Sequence, residues 1–229
     1  MAGFDVVLFA TLLMALVVES APRLAEAVGG PPIVGWFLGG GAMFAAMAGG
    51  GVWLLRREVS RWTLRDVLRE IRLGRPTGSH VLAGLRGLAI AGVVSGGVLV
   101  TLWLLTGRED GSIPGLAPPT LTLPEDPPAW LPLAWLPLFL LNVGCEEFLW
   151  RGLLLPRQER YHGRHAWLWN GLGVTVFHVP LGVPLTLVVA PFLFAMARVC
   201  QRQESLWPPL VLHATLNATA FACAMAGVW

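Results

Sequence analysis

Long apolar runs alternate with short polar loops along the whole chain. Seven of these runs approach 20 residues, the length that a helix needs to cross the hydrocarbon core of a bilayer. In lipid a helix satisfies its own backbone polar groups, so each run predicts a transmembrane helix. We therefore predict an all-α fold, a polytopic membrane helix bundle of about seven transmembrane helices. The predicted spans are about 3–19, 32–55, 81–106, 130–150, 165–181, 184–200 and 206–227.

The loop between the second and third spans, from Arg56 to His80, is rich in arginine. Within it, residues 57–75 predict an amphipathic cytoplasmic helix, with Thr63 as its N-cap. A solvated basic loop is the alternative. The apolar residues expected to face the membrane surface are Trp62, Leu64, Val67, Leu68, Ile71 and Leu73, and the polar face carries Arg65, Arg69 and Arg72.

The arginines also predict the orientation of the bundle. They concentrate in the loops 56–80, 151–165 and 198–205, whereas the alternate loops hold only Arg23 and Arg108. Basic residues favour the cytoplasmic side, so these three loops are predicted to be cytoplasmic. An odd number of spans then places the N-terminus in the cytoplasm and the C-terminus, at Trp229, outside.

The chain reads as a single transmembrane domain over 1–229, with no internal repeat. Residues 1–107 form the N-terminal helices, and 108–129 are too rich in proline for regular helix. We expect that segment to be an extended external loop. Alternatively, the first span could be a signal peptide cleaved after Ala25-Glu26-Ala27, but no basic residues precede it.

Composition supports the membrane assignment and limits the partners. Hydrophobic residues make up 55% of the 229 and charged residues 13%, about half the charged fraction of a soluble domain. A net charge of +2 gives no reason to expect a nucleic-acid partner. All the basic residues are arginine, a usage that hints at a bacterial source, so the inner (cytoplasmic) membrane of a bacterium is the expected location. The three cysteines, Cys145, Cys200 and Cys223, are expected to be free thiols.

Charged residues inside an apolar span are costly, and by default they indicate function. Glu147 and Arg151 are four residues apart, so on a helix they share a face and are expected to pair. Glu146 points elsewhere and is expected to have no partner on its own helix, which suits a general base. The alternative is that both glutamates only satisfy Arg151.

Two later spans add further polar residues. His213 and Asn217 are also four residues apart, and both side chains can donate to an oxyanion. His178 lies near the end of the fifth span, and taken alone it would be expected to be a hydrogen-bonded core histidine. Either residue of the His213–Asn217 pair could alone be an interhelical polar contact, but the coincidence of the three clusters favours a hydrolytic site.

The order of these motifs resembles the CAAX protease and bacteriocin-processing (CPBP, or Abi) family of intramembrane endopeptidases. Glu146-Glu147-x-x-x-Arg151 is followed by His178 and then by His213-x-x-x-Asn217. The resemblance covers a catalytic core at about 130–222. The second motif of the family usually reads Phe-x-x-x-His, whereas Val174 takes the phenylalanine position here.

The resemblance implies roles for the six residues. Glu146 and His178 would activate a water, His213 and Asn217 would form the oxyanion site, and Glu147 and Arg151 would be structural support. No cofactor is expected. The metal-dependent alternative is zinc at Glu146, His178 and His213, since the family is described both as metallo and as glutamic.

The position of the site along the helices suggests the substrate. If the helix that carries Glu146 continues to about Tyr161 despite Pro156, Glu146 and His178 both lie about 22 Å from the cytoplasmic ends of their helices. A site in the outer half of the membrane fits the C-terminal anchors of membrane-anchored or exported proteins, as myxosortase-like sorting proteases would require.

Three functions remain open at this point. An intramembrane peptidase acting on a membrane-embedded protein or peptide is the favoured one. The alternatives are a bacteriocin-immunity or scaffold protein without proteolysis, and a proton-coupled transporter. The absence of a sequence repeat disfavours transport. The sequence predicts no oligomeric state.

Overall fold

All regular structure in the described residues is helical. The computed structural model describes residues 2–57, 59, 62–124 and 126–227. A π-helical segment, Phe148–Leu154, joins α5 to α6 without a break. The all-α prediction is confirmed for this part of the chain. The helices are α1 (Ala2–Ala27), α2 (Pro32–Arg56), α3 (Leu64–Glu70), α4 (Gly78–Thr106), α5 (Leu131–Glu147), α6 (Leu155–His162), α7 (Ala166–His178), α8 (Val183–Gln203) and α9 (Trp207–Met225).

Five helical stretches of the described chain are long and apolar enough to span a membrane. They are Gly3–Ala27, Pro32–Arg56, Gly78–Thr106, Leu131–Leu181 and Val183–Gln203. The short helix α7 lies inside the fourth stretch. Helix α9 falls outside all five because two prolines, a histidine and an asparagine dilute its apolar character. The multi-pass membrane fold is therefore established, while separate spans for α7 and α9 remain predictions.

The surface of α4 shows where lipid contacts the bundle. Val93 is 79% exposed and Leu105 is 76% exposed, and Ile90 and Leu104 beside them are exposed as well. A soluble protein rarely displays such a continuous apolar surface. In a bilayer these side chains have hydrocarbon as their solvent, so their exposure is favourable.

The long helices form a closed ring around an apolar centre. The order of packing around the ring is α1, α2, α5, α9, α4, α8 and α7, and α7 returns to α1. The largest cluster of buried side chains lies inside, with Phe44, Trp150 and Phe177 among its members. The helices α5, α7 and α9, which carry the predicted site residues, are held in place by this ring.

Two glycines allow helix backbones to approach more closely than any side chain would permit. A Cβ atom on Gly35 would lie 1.8 Å from the carbonyl oxygen of Ala21, where α2 crosses α1. A Cβ atom on Gly84 would lie 2.6 Å from the carbonyl oxygen of Pro208, where α4 crosses α9. Small residues at such crossings are a common basis of helix packing in membranes.

The three loops that are predicted to be cytoplasmic meet at one end of the bundle. Arg72, in the 56–80 loop, binds both carboxylate oxygens of Glu159 through Nη1 and Nη2, at 3.0 and 2.5 Å. This hydrogen-bonded pair raises the pKa of the Arg72 guanidinium above its ordinary value. The backbone N–H of Leu206 donates to the carbonyl of Arg72, and Gln201 donates to the carbonyl of Gly163.

The proline-rich segment lies at the opposite end. Near that end, the backbone of Gly115 approaches Gly182, in the turn between α7 and α8. Between α4 and α5 the only helical structure in the described residues is the short 3₁₀ turn Pro119–Leu121, and the external position of this loop stays a prediction. The structure thus groups the loops into the two sets that the arginines predict. Which set faces the cytoplasm remains a prediction, and the C-terminal Trp229 lies outside the described residues.

The amphipathic segment differs from its prediction. Helix α3 is only seven residues long, and Thr63 caps it by accepting from the backbone N–H of Asp66, as predicted. Of the residues predicted to face the membrane surface, Ile71 is buried in the core and Val67, Leu68 and Leu73 pack against it. For these four residues the assignment is wrong because the bundle itself offers an apolar partner at that position, whereas Trp62 and Leu64 are exposed. Positions 58, 60 and 61, near the start of the segment, lie outside the described residues.

Candidate active site

A continuous helical path brings the two glutamates to the middle of the bundle. Glu146 and Glu147 end α5, and Arg151 lies in the π-helical segment that follows. Pro156 directly follows the π-helical segment, and the helical path continues through it to His162. The predicted continuation of the helix to about Tyr161 is therefore confirmed. Wide π-helical turns of this kind are frequently found at functional sites.

Glu147 is the centre of a fully buried charged cluster. Its Oε1 accepts from Nη1 of Arg151 at 3.0 Å and from Nδ1 of His213 at 2.8 Å. The Nη2 of Arg151 donates to the carbonyl of Leu193 on α8, also at 3.0 Å. The predicted pairing of Glu147 with Arg151 is confirmed. The cluster ties α5, the π-helical segment, α8 and α9 together.

Glu146 belongs to a second chain of hydrogen bonds, which it forms with two amides. Its Oε1 accepts from Nδ2 of Asn142 at 2.6 Å, and Oδ1 of Asn142 accepts from Nδ2 of Asn217 at 2.5 Å. The prediction that Glu146 has no partner on its own helix is wrong. Asn142 precedes it by four residues, the same spacing that pairs Glu147 with Arg151. Oε2 of Glu146 is buried, and no described residue donates to it.

His178 faces this pair of clusters from the end of α7. Its Nδ1 lies 2.9 Å from the carbonyl oxygen of Val174. A carbonyl oxygen only accepts, so Nδ1 carries the proton and Nε2 is left as an acceptor in the neutral ring. The ring is within electrostatic range of Glu146, His213 and Arg151. Val174, which stands where the resembling family has phenylalanine, is fully buried.

His213 and Asn217 project from one face of α9, as their spacing predicts, but they bind different partners. His213 reaches Glu147, whereas Asn217 reaches Asn142. Because a carboxylate only accepts, Nδ1 of His213 is the protonated nitrogen in its contact with Glu147. The structure therefore brings the six predicted residues into two adjoining hydrogen-bonded groups plus His178.

One family of known proteins matches part of the chain. Residues 128–219 match the family described as type II CAAX prenyl endopeptidase, Rce1-like. This segment, here the Rce1-like domain, is similar to that family. Neither the curated proteins nor the solved structures provide a match to the chain. The Rce1-like domain runs from α5 into α9 and includes all six predicted site residues, close to the predicted core at 130–222. It is consistent with the CPBP resemblance and indicates an intramembrane endopeptidase.

The Rce1-like domain shows no ready-made metal site. Within the described part of the chain, no three His, Cys, Asp or Glu side chains are grouped so that they could hold a metal ion. Of the residues considered for zinc from sequence, Nδ1 of His213 binds Glu147, Nδ1 of His178 binds the carbonyl of Val174, and Oε1 of Glu146 binds Asn142. Histidines that bind zinc through Nε2 make the same Nδ1 contacts, so these hydrogen bonds do not distinguish a metal-dependent site from a metal-free one.

The three cysteines of the chain form no disulfide. Cys145, Cys200 and Cys223 are free thiols, as predicted, and the first two are buried. The Sγ of Cys200 is directed at the carbonyl oxygen of Arg151, at 4.0 Å. A thiol that packs behind the arginine in this way acts as a small apolar side chain.

Two asparagines of the domain escaped sequence reasoning. Asn142 lies one turn before Glu146, and its spacing could have identified it as a partner of that residue. Asn170 is fully buried on α7, and its Nδ2 donates to the carbonyl of Trp150 at 2.8 Å and to Oε1 of Gln158 at 2.9 Å. Asn170 thereby binds a backbone group of the π-helical segment. No sequence spacing connects these residues, so only the fold could show the contact.

Proposed function

We propose that this chain is an intramembrane peptidase that hydrolyses a peptide bond with a water activated by Glu146 and His178. The observation that carries the proposal is the buried Oε2 of Glu146, to which no described side chain or backbone group donates. A buried carboxylate oxygen without a donor is costly, so the site suits a bound water or substrate N–H. Oε2 of Glu147 is also buried without a described donor, but Glu147 differs because its Oε1 is already ion-paired with Arg151 and accepts a hydrogen bond from His213.

Each residue near Glu146 has a role in this reaction. Oε2 of Glu146 takes a proton from the attacking water, and Nε2 of His178 accepts the water's second hydrogen bond. The water oxygen bonds to the scissile carbonyl carbon, and the carbonyl oxygen becomes an oxyanion. The proton held by Glu146 then passes to the leaving amine as the C–N bond breaks. No covalent enzyme intermediate forms.

His213 and Asn217 are suited to hold the oxyanion. In the protonated form of His213, Nε2 is a donor while Nδ1 stays on the carboxylate of Glu147. The Nδ2 group of Asn217 uses one N–H for Asn142 and has a second N–H left. Glu147 and Arg151 support the site by fixing His213 and by joining α5 to α8.

The substrate that we propose is a membrane-anchored or exported protein, cut near its C-terminal end. Glu146 lies 16 residues before the end of α6 at His162, and His178 lies 12 residues after the start of α7 at Ala166. At a rise of about 1.5 Å per residue, both stand about 18–24 Å from the α6–α7 connection. If that connection is cytoplasmic, the cut lies in the outer half of the membrane. A myxosortase-like sorting role would follow from this depth, while a prenylated cytoplasmic tail would have to reach further in.

The decisive experiment is mass spectrometry of membrane-protein termini in cells that carry wild-type or E146Q protein. Gln keeps the shape of Glu146 but removes its basicity, so termini made by the enzyme should disappear. Leu140→Ala, on the lipid-exposed side of α5, is the matched control and should leave them unchanged. The lost termini would identify substrates and cut sites together.

The same variant separates the other candidate functions. If E146Q cells show the same termini and keep an immunity phenotype, the chain is a binding protein without proteolysis. If purified E146Q protein in liposomes loses a proton flux that the wild type shows, transport is the better description. Either result would overturn the peptidase proposal.

A further inference from the structure

Asn142 connects the two halves of the proposed site. Its amide group donates to Oε1 of Glu146 at 2.6 Å and accepts from Nδ2 of Asn217 at 2.5 Å. We propose that Asn142 is a positioning residue that couples the general base on α5 to the oxyanion donor on α9. This inference rests on the proposed function. It adds a residue that lies outside the three motifs of the family resemblance.

The donors and acceptors in the hydrogen bonds that join Glu146, Asn142 and Asn217 are fixed by chemistry. An ionised carboxylate has no proton to donate, so the group that Asn142 turns towards Glu146 must be its NH₂. Its Oδ1 then points towards α9 and can only accept. Asn217 must therefore present its own NH₂ rather than its carbonyl. The amide orientation of Asn217, which decides whether it can donate to an oxyanion, is set through Asn142 by the charge of Glu146.

The packing around Asn142 holds this chain in position. Trp135 lies seven residues earlier on α5, and its ring stacks on Phe221 of α9 with centroids 4.2 Å apart and planes 7° apart. Phe221 follows Asn217 by one turn. The stacked rings therefore keep α5 and α9 at the separation that the two amides need. A positioning group on rigid helices is expected to matter because small displacements of reacting groups are costly to rate.

If Asn142 only linked α5 to α9, its hydrogen bond to Glu146 would have no explanation. An amide pair between α5 and α9 would be satisfied without any contact to Glu146. Among the described residues, however, Asn142 is the donor that Oε1 of Glu146 accepts from. Loss of Asn142 would remove that donor from a buried carboxylate and would free Asn217 to rotate. The expected effect is therefore on the rate of hydrolysis more than on folding.

The test uses full-length variants in proteoliposomes that are fused with a membrane fraction from cells lacking the protein. The readout is the initial rate at which Glu146-dependent protein termini appear, measured by mass spectrometry. Asn142→Leu keeps the size of the side chain without its polar atoms, and Asn142→Gln keeps the amide on a longer stem. Leu140→Ala is the control on the same helix, and thermal unfolding in detergent checks that each variant is folded.

We expect Asn142→Leu to slow hydrolysis by about 10–100-fold and Asn142→Gln to recover a substantial part of that loss. Adding Asn142→Leu to Asn217→Ala should slow the reaction little further, because both act through one chain. A rate for Asn142→Leu within about twofold of wild type would overturn the inference. The inference would also be overturned if Asn142→Gln were as slow as Asn142→Leu, or if the loss of rate in the double variant equalled the product of the two single losses. If Asn142→Leu does not fold, Asn142→Gln against Asn142→Ala gives the same comparison.

The failure of the inference is distinguishable from the failure of the proposed function. If E146Q removes the termini while Asn142→Leu does not slow their appearance, only the role of Asn142 is wrong. If E146Q produces termini at the wild-type rate, the water-activation proposal is wrong, and the inference about Asn142 falls with it.

Discussion

Replacement of Arg151 by methionine tests the buried charged cluster. Arg151 is fully buried, and it binds Oε1 of Glu147 and the carbonyl of Leu193. Removing one partner of a buried ion pair usually costs about 3–5 kcal/mol of stability. Because His213 still donates to Glu147 in the variant, we expect the lower end, about 3 kcal/mol. For a chain of this length that corresponds to a fall of about 6–12 °C in the midpoint of thermal unfolding.

The assay is thermal unfolding of purified protein in detergent, followed by tryptophan fluorescence. Arg69→Met is the control, because the Arg69 side chain is 70% exposed and its distance to Asp66 is 4.0 Å. The double variant Glu147→Gln/Arg151→Met removes both charges and should be more stable than Arg151→Met alone. An Arg151→Met midpoint equal to that of the control, or a double variant with a further additive loss, would refute the reasoning.

Three further predictions concern the packing, the loop contacts and the metal question. Gly35→Val should lower the yield of folded protein because its side chain would overlap the carbonyl of Ala21, whereas Gly49→Val, with open space around it, should not; equal yields would contradict this. Glu159→Ala should speed trypsin cleavage after Arg72, because the ion pair no longer holds Arg72 in place, whereas replacement of the exposed Glu70 by Ala should not; unchanged cleavage would contradict the contact. The chelator 1,10-phenanthroline should leave hydrolysis unchanged, and a loss restored by zinc would support the metal-dependent alternative.

The helices could be predicted well because their determinants are local. Apolar length alone predicts α1, α2, α4, α5 and α8 near their observed positions. The apolar face of residues 57–75 was assigned to the membrane surface because periodicity shows which residues share a face but not what covers it. In the structure Ile71 is buried within the bundle. That packing depends on tertiary contacts that no local pattern contains.

In the candidate site, too, contacts within one helix could be predicted from the sequence, whereas contacts between helices could not. Glu147 and Arg151 pair at a spacing of one helical turn, and the same rule applied to Asn142 would have found the partner of Glu146. The contact of His213 with Glu147 spans 66 positions along the chain, so helical spacing could not predict it. The spacing correctly placed His213 and Asn217 on one face of α9. Their separate partners are decided by how α9 lies against α5.

The central claim is that Glu146 and His178 act together on one water. The most direct measurement is the rate of appearance of Glu146-dependent termini for E146Q, H178A and the double variant, in folded protein. Groups that act as a unit give strongly non-additive losses. We predict that each single variant slows hydrolysis by about 10²–10⁴-fold and that the double variant is no slower than the slower of the two. Substantial hydrolysis by H178A, or a double variant whose loss is the product of the two single losses, would contradict the account.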